Sequence, residues 1–541
     1  MLWRTCIFLL IMIHQLFAIT YHVDSGQGND SYNGLTHNTA FKTIQHALNF
    51  LSPGDTCLVY PGNYSGRVVI DKSGLNNSPI TFMANGSEVV TQGFTINDVN
   101  YIQIIGFEIT SIPSSWNWND RHGVTVFGSN NVVKDNYMHD LFWNGVRIDE
   151  NGSFSSQNNL VINNTMYRCG ECGIEVNGSN NIVQGNDISR TQQWELSDGG
   201  GRDADGLRFS GYGHKIVGNY IHDIYISDPE NSSAHIDCIQ TWGPAYNIVF
   251  EKNTFIVNDI IVETQTAQLE NLNSPVYNLS FFNNIIANCY RGFNTMNITG
   301  CKWYNNTFVN VPNYPILLHD GCTDTKVKNN LFYDTGPMIM GNSSLPGFEK
   351  DYNLHYQSND GNIVTLIIES QNQQPGPHEM VNENPLLRNI EGNNFEQQQN
   401  SPLNDAGFNL LSEGVTTDIR GLSRPQNHNF DIGAYEFSST IPDSIETIPD
   451  DFRLEQNYPN PFNSSTTIRF TLPVDASVTI SIYNILGEKI SQISNGNLES
   501  GVNDILFNAD ELTSGIYIYK VDVSGIDGTN FSSTRKMTLI R

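Results

Sequence analysis

The chain has 541 residues and sets 28 Lys and Arg against 56 Asp and Glu, a formal net charge of −28. That length holds two or more structural units, and the spread acid excess argues against nucleic acid or anionic lipid as partners. Only 16% of residues are charged while Asn, Gly, Ser and Asp abound, which favours turn-rich β structure over helical bundles.

The opening "MLWRTCIFLLIMIHQLFAIT" carries Arg4, an apolar run over residues 6–13 and small Ala18, the pattern of a signal peptide over residues 1–18. Later apolar runs are too short to span a bilayer, so no transmembrane segment is expected and the mature chain belongs outside the cytoplasm. Beyond Cys6, the odd set Cys57, Cys169, Cys172, Cys238, Cys289, Cys301 and Cys322 has no regular spacing and is not a disulfide framework. Cys169-Gly-Glu-Cys172 lacks a second CxxC or a nearby His pair, so structural thiols or a local disulfide are expected there rather than zinc.

From about residue 100 to 335 an apolar/polar alternation ending in Asn recurs, as in "NVVKDNYMHD", "LVINNTMYRC", "KIVGNYIHDI" and "NIVFEKNTFI". It places Asn136, Asn164, Asn186, Asn219, Asn253, Asn284, Asn306 and Asn330 roughly 22 to 34 residues apart, the period of a solenoid. Each repeat carries a second strand, "GVTVF", "GVRID", "GIEVN", "GLRFS", "CIQTW" and "GFNTM". Such strands bury their apolar sides only when coils stack in parallel, so the Asn residues should form a ladder along one corner.

The stretch "YHVDSGQGNDSYNGLTHNTAFKTIQHALNFLSPGDTCLVYPGNYSGRVVI" resembles the entry segment of secreted pectate-lyase-like right-handed β-helix proteins, with a capping helix near residues 43–51. "SPLNDAG" and "TDIRGLSRPQNHNFDIGAYEF" are similar to the closing segment of that group. The resemblance implies an N-terminal cap and first coils over 19–110, a central right-handed parallel β-helix solenoid over 111–340, and final coils with a closing segment over 341–436. A fold of this kind hosts several activities.

Residues 437–451, polar and Pro-containing, read as a linker. Residues 452–541 alternate in "TTIRFTL", "VTISIYN" and "IYIYKVD", which predicts a small β-sandwich and completes an all-β chain. "NYPNPFN", "IYNILGE" and "SGIYIYK" in that order resemble the C-terminal sorting domain of the type IX secretion system. That resemblance implies type IX machinery as a partner, export through the periplasm, and an extracellular or outer-surface location.

Candidate chemistry centres on "RDADGLRFSGYG" and "AHIDCIQTWGPAY", which align at an interval of 32, pairing Asp203 with His235, Asp205 with Asp237 and Arg208 with Gln240. Period-two alternation turns Arg208 outward to solvent, in one row with Arg147, Glu175 and Gln240. Long excursions beside these strands are expected to wall a cleft. An acidic-polysaccharide lyase needs a cation near the uronate carboxylate and a base for the neighbouring proton. Calcium on Asp203, Asp205 and Asp237 would serve the first need, with Arg147 as clamp. Arg208 or His235 would serve as base, and Trp242, Gln240 and Glu175 would bind substrate. For Asp205 and Asp237 a turn role stays equally open, and Trp242 fits packing as well as a sugar platform. His139 and His222, in "YMHD" and "YIHDI", suit hydrogen-bonded corners. The expected function is cleavage of a uronate-containing extracellular polysaccharide by β-elimination, by a monomer. Glycoside hydrolysis by paired carboxylates and non-catalytic carbohydrate binding or adhesion are the alternatives.

Overall fold

A computed structural model of the chain describes residues 18–111, 122–150, 156–192, 204–224, 236–257, 264–271, 275–359 and 363–438. In the C-terminal module it describes 452–454, 457, 460, 462, 465–484, 487–498, 500–509, 512–525 and 529–539. The chain divides into two compact units, 1–437 and 438–541. Most of the expected linker, residues 439–451, lies outside the described residues, as do residues 1–17 of the expected signal peptide. No helix among the described residues is long and apolar enough to cross a membrane.

The first unit is a β-helix of three parallel sheets, here A, B and C. One coil shows the plan: Ile182–Gln184 lies in sheet A, Asp187–Ser189 in sheet B and Asp205–Tyr212 in sheet C, before Lys215–Val217 returns to sheet A one coil on. Strands of the coils pair in parallel with their counterparts in adjacent coils, as when Tyr220–His222 joins Asp187–Ser189 and Thr254–Ile256; among the described residues of this unit, antiparallel strand pairs occur only near the closing end, as between Leu366–Ile368 and Gln371–Asn372. Strand Asp237–Glu251 turns the corner unbroken and serves both sheet C and sheet A. Period-two alternation aims Val183, Leu207 and Phe209 inward, all fully buried. Aromatic rings fill the core: Phe209 meets Phe250 edge to face at 5.0 Å, and Phe250 stacks on Phe281 at 5.0 Å and Phe281 on Trp303 at 5.5 Å between ring centroids along the axis. Each such buried side chain contributes about 1.5–3 kcal/mol.

The A-to-B corner is fixed by the expected ladder. Oδ1 of Asn164, Asn186, Asn219, Asn253, Asn284, Asn306, Asn330 and Asn353 each accepts the backbone N–H of the previous rung, at 2.8–3.1 Å. Each Nδ2 donates back to a carbonyl of the coil before, as from Asn219 to Val183 at 2.9 Å. The residue preceding a rung is held at positive φ, for example Asp135, Asn163, Gly185, Gly218, Asn283 and Asn305 at 53–63°, with 54° at Asn283. Only Gly, Asn and Asp enter that region cheaply, which explains their abundance. A second amide column at the C-to-A corner, Asn131, Asn159 and Asn181, ends with Asn181 donating its backbone N–H to His214 Nδ1. The B-to-C corner requires small residues: a Cβ on Gly173 would stand 2.4 Å from Ile188 Cγ2.

The N-terminal end is covered by the short helix Ile44–Ala47, whose N-cap Thr43 accepts the His46 N–H at 3.2 Å, so the expected capping helix is present but shorter. At the other end Lys350 and His355 take core positions opposite Val327 and Phe332 and meet Glu379. The closing segment then folds back over sheet A and sheet B. Asn305 Nδ2 donates to Asp431 O at 2.7 Å, and buried Arg424 joins Glu436 at 2.6 Å. Burial outweighs Arg424 and pushes the Glu436 carboxyl up to about 7.

The second unit is a sandwich. Arg453–Leu454, Ser465–Leu472 and Gly501–Asn508 form one antiparallel sheet; Lys489–Leu498, Ala476–Asn484, Gly515–Gly525 and Asn530–Leu539 form the other. Ile468, Phe470, Val478, Ile480, Tyr519 and Val521 fill its core.

Removing one rung leaves buried backbone groups on both neighbouring coils without partners, at about 1–3 kcal/mol each. Asn219→Ala should therefore lower the unfolding free energy by about 3 kcal/mol, measured by urea denaturation of the β-helix. A loss below about 0.5 kcal/mol would show that the ladder is not a stabilising element.

Candidate functional site

Strand register in sheet C places Thr125, Arg147, Glu175, Arg208, Gln240, Gln268 and Asn294 as Cα partners on seven successive coils. The spacing of 32 read from the sequence is the register itself: Leu207 pairs with Ile239, Arg208 with Gln240 and Phe209 with Thr241. At about 4.8 Å per coil the row from Arg147 to Asn294 runs roughly 24 Å along the axis. Beside it Cys172 pairs with Asp205 and Asp237 with Gln265.

The row is directed away from the core, yet its centre is not open to solvent as the alternation predicts. Arg208 is 1% exposed, Gln240 6%, and Asp205 and Asp237 are wholly buried. Arg208 donates from Nε to Asp205 Oδ2 at 2.8 Å and from Nη1 to Glu171 Oε1 at 3.0 Å. Burial opposes its charge, but Asp205 and Glu171 more than offset that and raise its pKa above the ordinary arginine value. Arg208 is therefore held as a cation within this buried network.

Around Glu175, one coil away, Arg147 lies with Nε 3.5 Å from Oε1, and Asn144 Nδ2 donates to Oε2 at 2.6 Å. Arg147 also pairs with Asp149. Burial raises the Glu175 pKa against the pull of Arg147, with Glu171 adding to the rise. Glu175 keeps 15% and Arg147 31% side-chain exposure, so the pair is reachable.

Asp205 Oδ1 accepts the Asp237 backbone N–H at 3.0 Å, and Asp237 Oδ1 accepts Gln265 Nε2 at 2.9 Å. Both acids thus join neighbouring coils, the first through a backbone amide as a turn acid does. As a calcium ligand Asp205 is poorly placed, since one of its oxygens faces the Arg208 guanidinium and the other a backbone N–H. No three His, Cys, Asp or Glu side chains among the described residues converge as a metal site. Asp203 and His235 lie outside the described residues; Trp242 sits on strand Asp237–Glu251 with its side chain likewise outside them.

Sequence reading missed the contributions of Gln265, Gln268 and Asn294. The last two were within reach, since adding the next coil intervals, 28 and 26, to Gln240 lands on "TAQLE" and "GFNTM".

Sheet B carries two copies of another arrangement. His139 contacts Asp140 at 2.8 Å and Glu108 at 3.3 Å, and His222 contacts Asp223 at 2.8 Å and Asp187 at 3.1 Å. Tyr137 and Tyr220 stack on their imidazoles. Burial alone would depress both histidines, but the flanking carboxylates win and raise each to about 9. Both histidines are hydrogen-bonded, as expected, but within strands of sheet B rather than at a corner.

Comparison with known proteins agrees with the fold. Residues 21–200 match the Pel9A-like right-handed beta helix region, residues 153–332 the right-handed beta helix region, and residues 456–536 the secretion system C-terminal sorting domain. Pectate lyase L of Dickeya dadantii (strain 3937) is 27% identical over 157 residues, 26% of this chain and 35% of the relative. Pectate lyase L of Dickeya chrysanthemi is 26% identical over 206 residues, 34% and 46% respectively. The chain therefore spans less than half the length of these curated relatives. The solved structure of XylC with xylose superposes with a TM-score of 0.51 at 13% identity, over 78% of this chain and 98% of that one, a likeness of fold alone. This is a pectate-lyase-like right-handed parallel β-helix protein with a type IX sorting domain, which marks it for secretion or the outer cell surface.

A histidine whose folded pKa is raised stabilises the fold fully below its unfolded value near 6.5 and ceases to do so as pH rises through about 9. The thermal midpoint should thus fall between pH 6.5 and 9 more steeply in the parent than in His222→Gln, with the two curves converging above pH 9. Parallel curves across that window would show that His222 is neutral in the folded protein.

Proposed function

We propose that this β-helix protein is a secreted carbohydrate-active enzyme whose site is the outer row of sheet C, and that it cleaves a uronate-containing polysaccharide by β-elimination. The observation that carries the reading is the alternation Arg147, Glu175, Arg208 on three consecutive coils, a carboxylate between two cations. The pectate lyase relatives support the choice of elimination.

In this chemistry a base removes the proton beside the uronate carboxylate, the C–O bond to the leaving sugar breaks, and the electron pair left behind forms the carbon–carbon double bond. The leaving oxygen takes a proton. Arg147, the more exposed cation, would pair with the substrate carboxylate and stabilise the charge that develops on it. Arg208, fixed by Asp205 and Glu171, would hold Glu175 in place and supply the second positive charge. Glu175, with its pKa raised by burial, is a stronger base than an ordinary carboxylate and would take the proton. His235 is the second base to be tested. Gln240 and Trp242 would contact the adjoining sugars.

A second reading, glycoside hydrolysis, is favoured by charge balance. Asp149, Glu171, Glu175 and Asp205 already pair with the two arginines, so a neutral glycan meets less repulsion than a polyuronate. A carboxyl with a raised pKa is also what a general acid needs.

Incubation with polygalacturonate, alginate and neutral glycans, with and without calcium, separates the readings. Elimination gives an ultraviolet-absorbing unsaturated end, and hydrolysis gives reducing ends without it. Retention without either product would replace both with a binding role. Glu175→Gln should lower kcat about a thousandfold with little change in the thermal midpoint; activity within threefold of the parent would remove Glu175 from the chemistry.

The sorting domain is an address separate from this site. Deleting 452–541 should leave a folded β-helix retained inside the outer membrane of the producing cell, assayed by fractionation. Undiminished export of the truncated chain would exclude the addressing role.

A further inference from the structure

Beyond Arg208 the row changes character. Gln240, Gln268 and Asn294 succeed one another on three coils, followed by Leu317 and Ile339, so a run of neutral amides is bounded by charged rungs on one side and apolar ones on the other. Gln268 Oε1 accepts from Gln265 Nε2 and from Asn294 Nδ2, both at 2.8 Å, and its Nε2 donates to Glu270 Oε2 at 3.2 Å. Asn294 Oδ1 lies 2.9 Å from His319 Nε2, whose Nδ1 lies 2.9 Å from Asp320.

These amides differ from the corner ladders. In the ladders each side chain satisfies backbone groups where the chain turns, whereas here the backbone is already paired strand to strand, so the amides do nothing for it. Gln240 shows the excess most clearly. It is 6% exposed, and its Oε1 is buried without a hydrogen-bond partner among the described residues. A buried, unmatched amide in a fold that satisfies its amides elsewhere marks a place kept for something that binds.

The chemistry of the run defines the ligand. A carboxamide donates and accepts at once, as a sugar hydroxyl does, and carries no charge with which to select a carboxylate. The charged groups hydrogen-bonded into the run are carboxylates, Glu270 directly and Asp320 through His319, which disfavours an acidic sugar there. We propose that Gln240, Gln268, Asn294 and His319 form subsites for uncharged, hydroxyl-bearing sugar residues, contiguous with the charged rungs at Arg147, Glu175 and Arg208. The substrate is then a mixed glycan, with its acidic or scissile unit over the charged rungs and neutral units over the amides. This rests on the reading of sheet C as a carbohydrate site.

The test is calorimetric titration of the full-length protein carrying Glu175→Gln, so that nothing turns over, with three probes: oligogalacturonate, neutral xylo-oligosaccharide and rhamnogalacturonan oligosaccharide, which alternates acidic and neutral units. Added Gln268→Leu or Asn294→Leu should weaken the alternating probe about tenfold and oligogalacturonate less than twofold. Asn294→Asp, which keeps the shape and adds a negative charge, should do the same and serves if the leucine variants fail to fold. Equal losses for both probes, or none, overturn the proposal. Asn294-dependent binding without cleavage of any polymer would sink the enzymatic reading and leave this one standing. Cleavage of a polymer by a protein whose leucine variants bind every probe as the parent does would do the reverse.

Discussion

Everything else in the first unit depends on the hydrogen bonding of each coil to the next. Parallel pairing sets the coils about 4.8 Å apart and fixes register, so a residue's place in space follows from its place in its repeat. The Asn ladder locks that register at one corner, because Oδ1 and Nδ2 of each rung bridge adjacent coils at fixed geometry. A slip of one residue would turn Leu207 and Phe209 out of the core and Arg208 into it. The same constraint turns residues 22 to 33 positions apart in sequence into neighbours in a row.

A row built this way accumulates costs. Arg208 among Asp205 and Glu171 is a buried ion network, and removing a partner from such a network costs about 3–5 kcal/mol, while an apolar replacement of the whole set is often neutral. Stability alone therefore does not account for the network. Leu317 and Ile339 show that this row of sheet C tolerates apolar residues two and three coils beyond Gln268. The charged rungs stand where the fold makes no demand for charge, which is why they, rather than the corner acids, carry the functional argument.

The architecture was legible because its signals are local and repeated. The ladder Asn, the apolar alternation and the Gly that opens several sheet C strands are each written many times, and the interval of 32 between Arg208 and Gln240 is the true register. Burial was not legible. Alternation says that Arg208 points away from the core but not what covers it, and its exposure is decided by groups remote in sequence, Glu171 lying 37 residues earlier. The Asn131, Asn159, Asn181 column was hidden because its phrase ends at His214, so the repeat does not look like one. The closing segment's bonds to Asn283, Asn305 and Asn329 span 79 to 134 residues, beyond any local pattern.

A stack of coils also has two ends, and each end is a sheet edge with unpaired backbone and an exposed core, open to pairing with another copy. The N-terminal end is blocked by helix Ile44–Ala47, which lays Ile44 and Ala47 against the first strands. The other end is stopped differently. The inward column that runs Phe308, Phe332 passes to His355, and the Trp303, Val327 column passes to Lys350, both meeting Glu379. Burial keeps the His355 pKa near 4, so that imidazole is neutral, while Lys350 and Glu379 form the ion pair. A further apolar coil cannot dock on such a surface without stripping charges of their partners. The sequence thus ends its solenoid by putting charge where the repeat calls for a hydrophobe. The same substitution of polar for apolar marks the outer row of sheet C, but there, although Gln268 and Asn294 bond to each other, the buried Oε1 of Gln240 is left without a hydrogen-bond partner among the described residues.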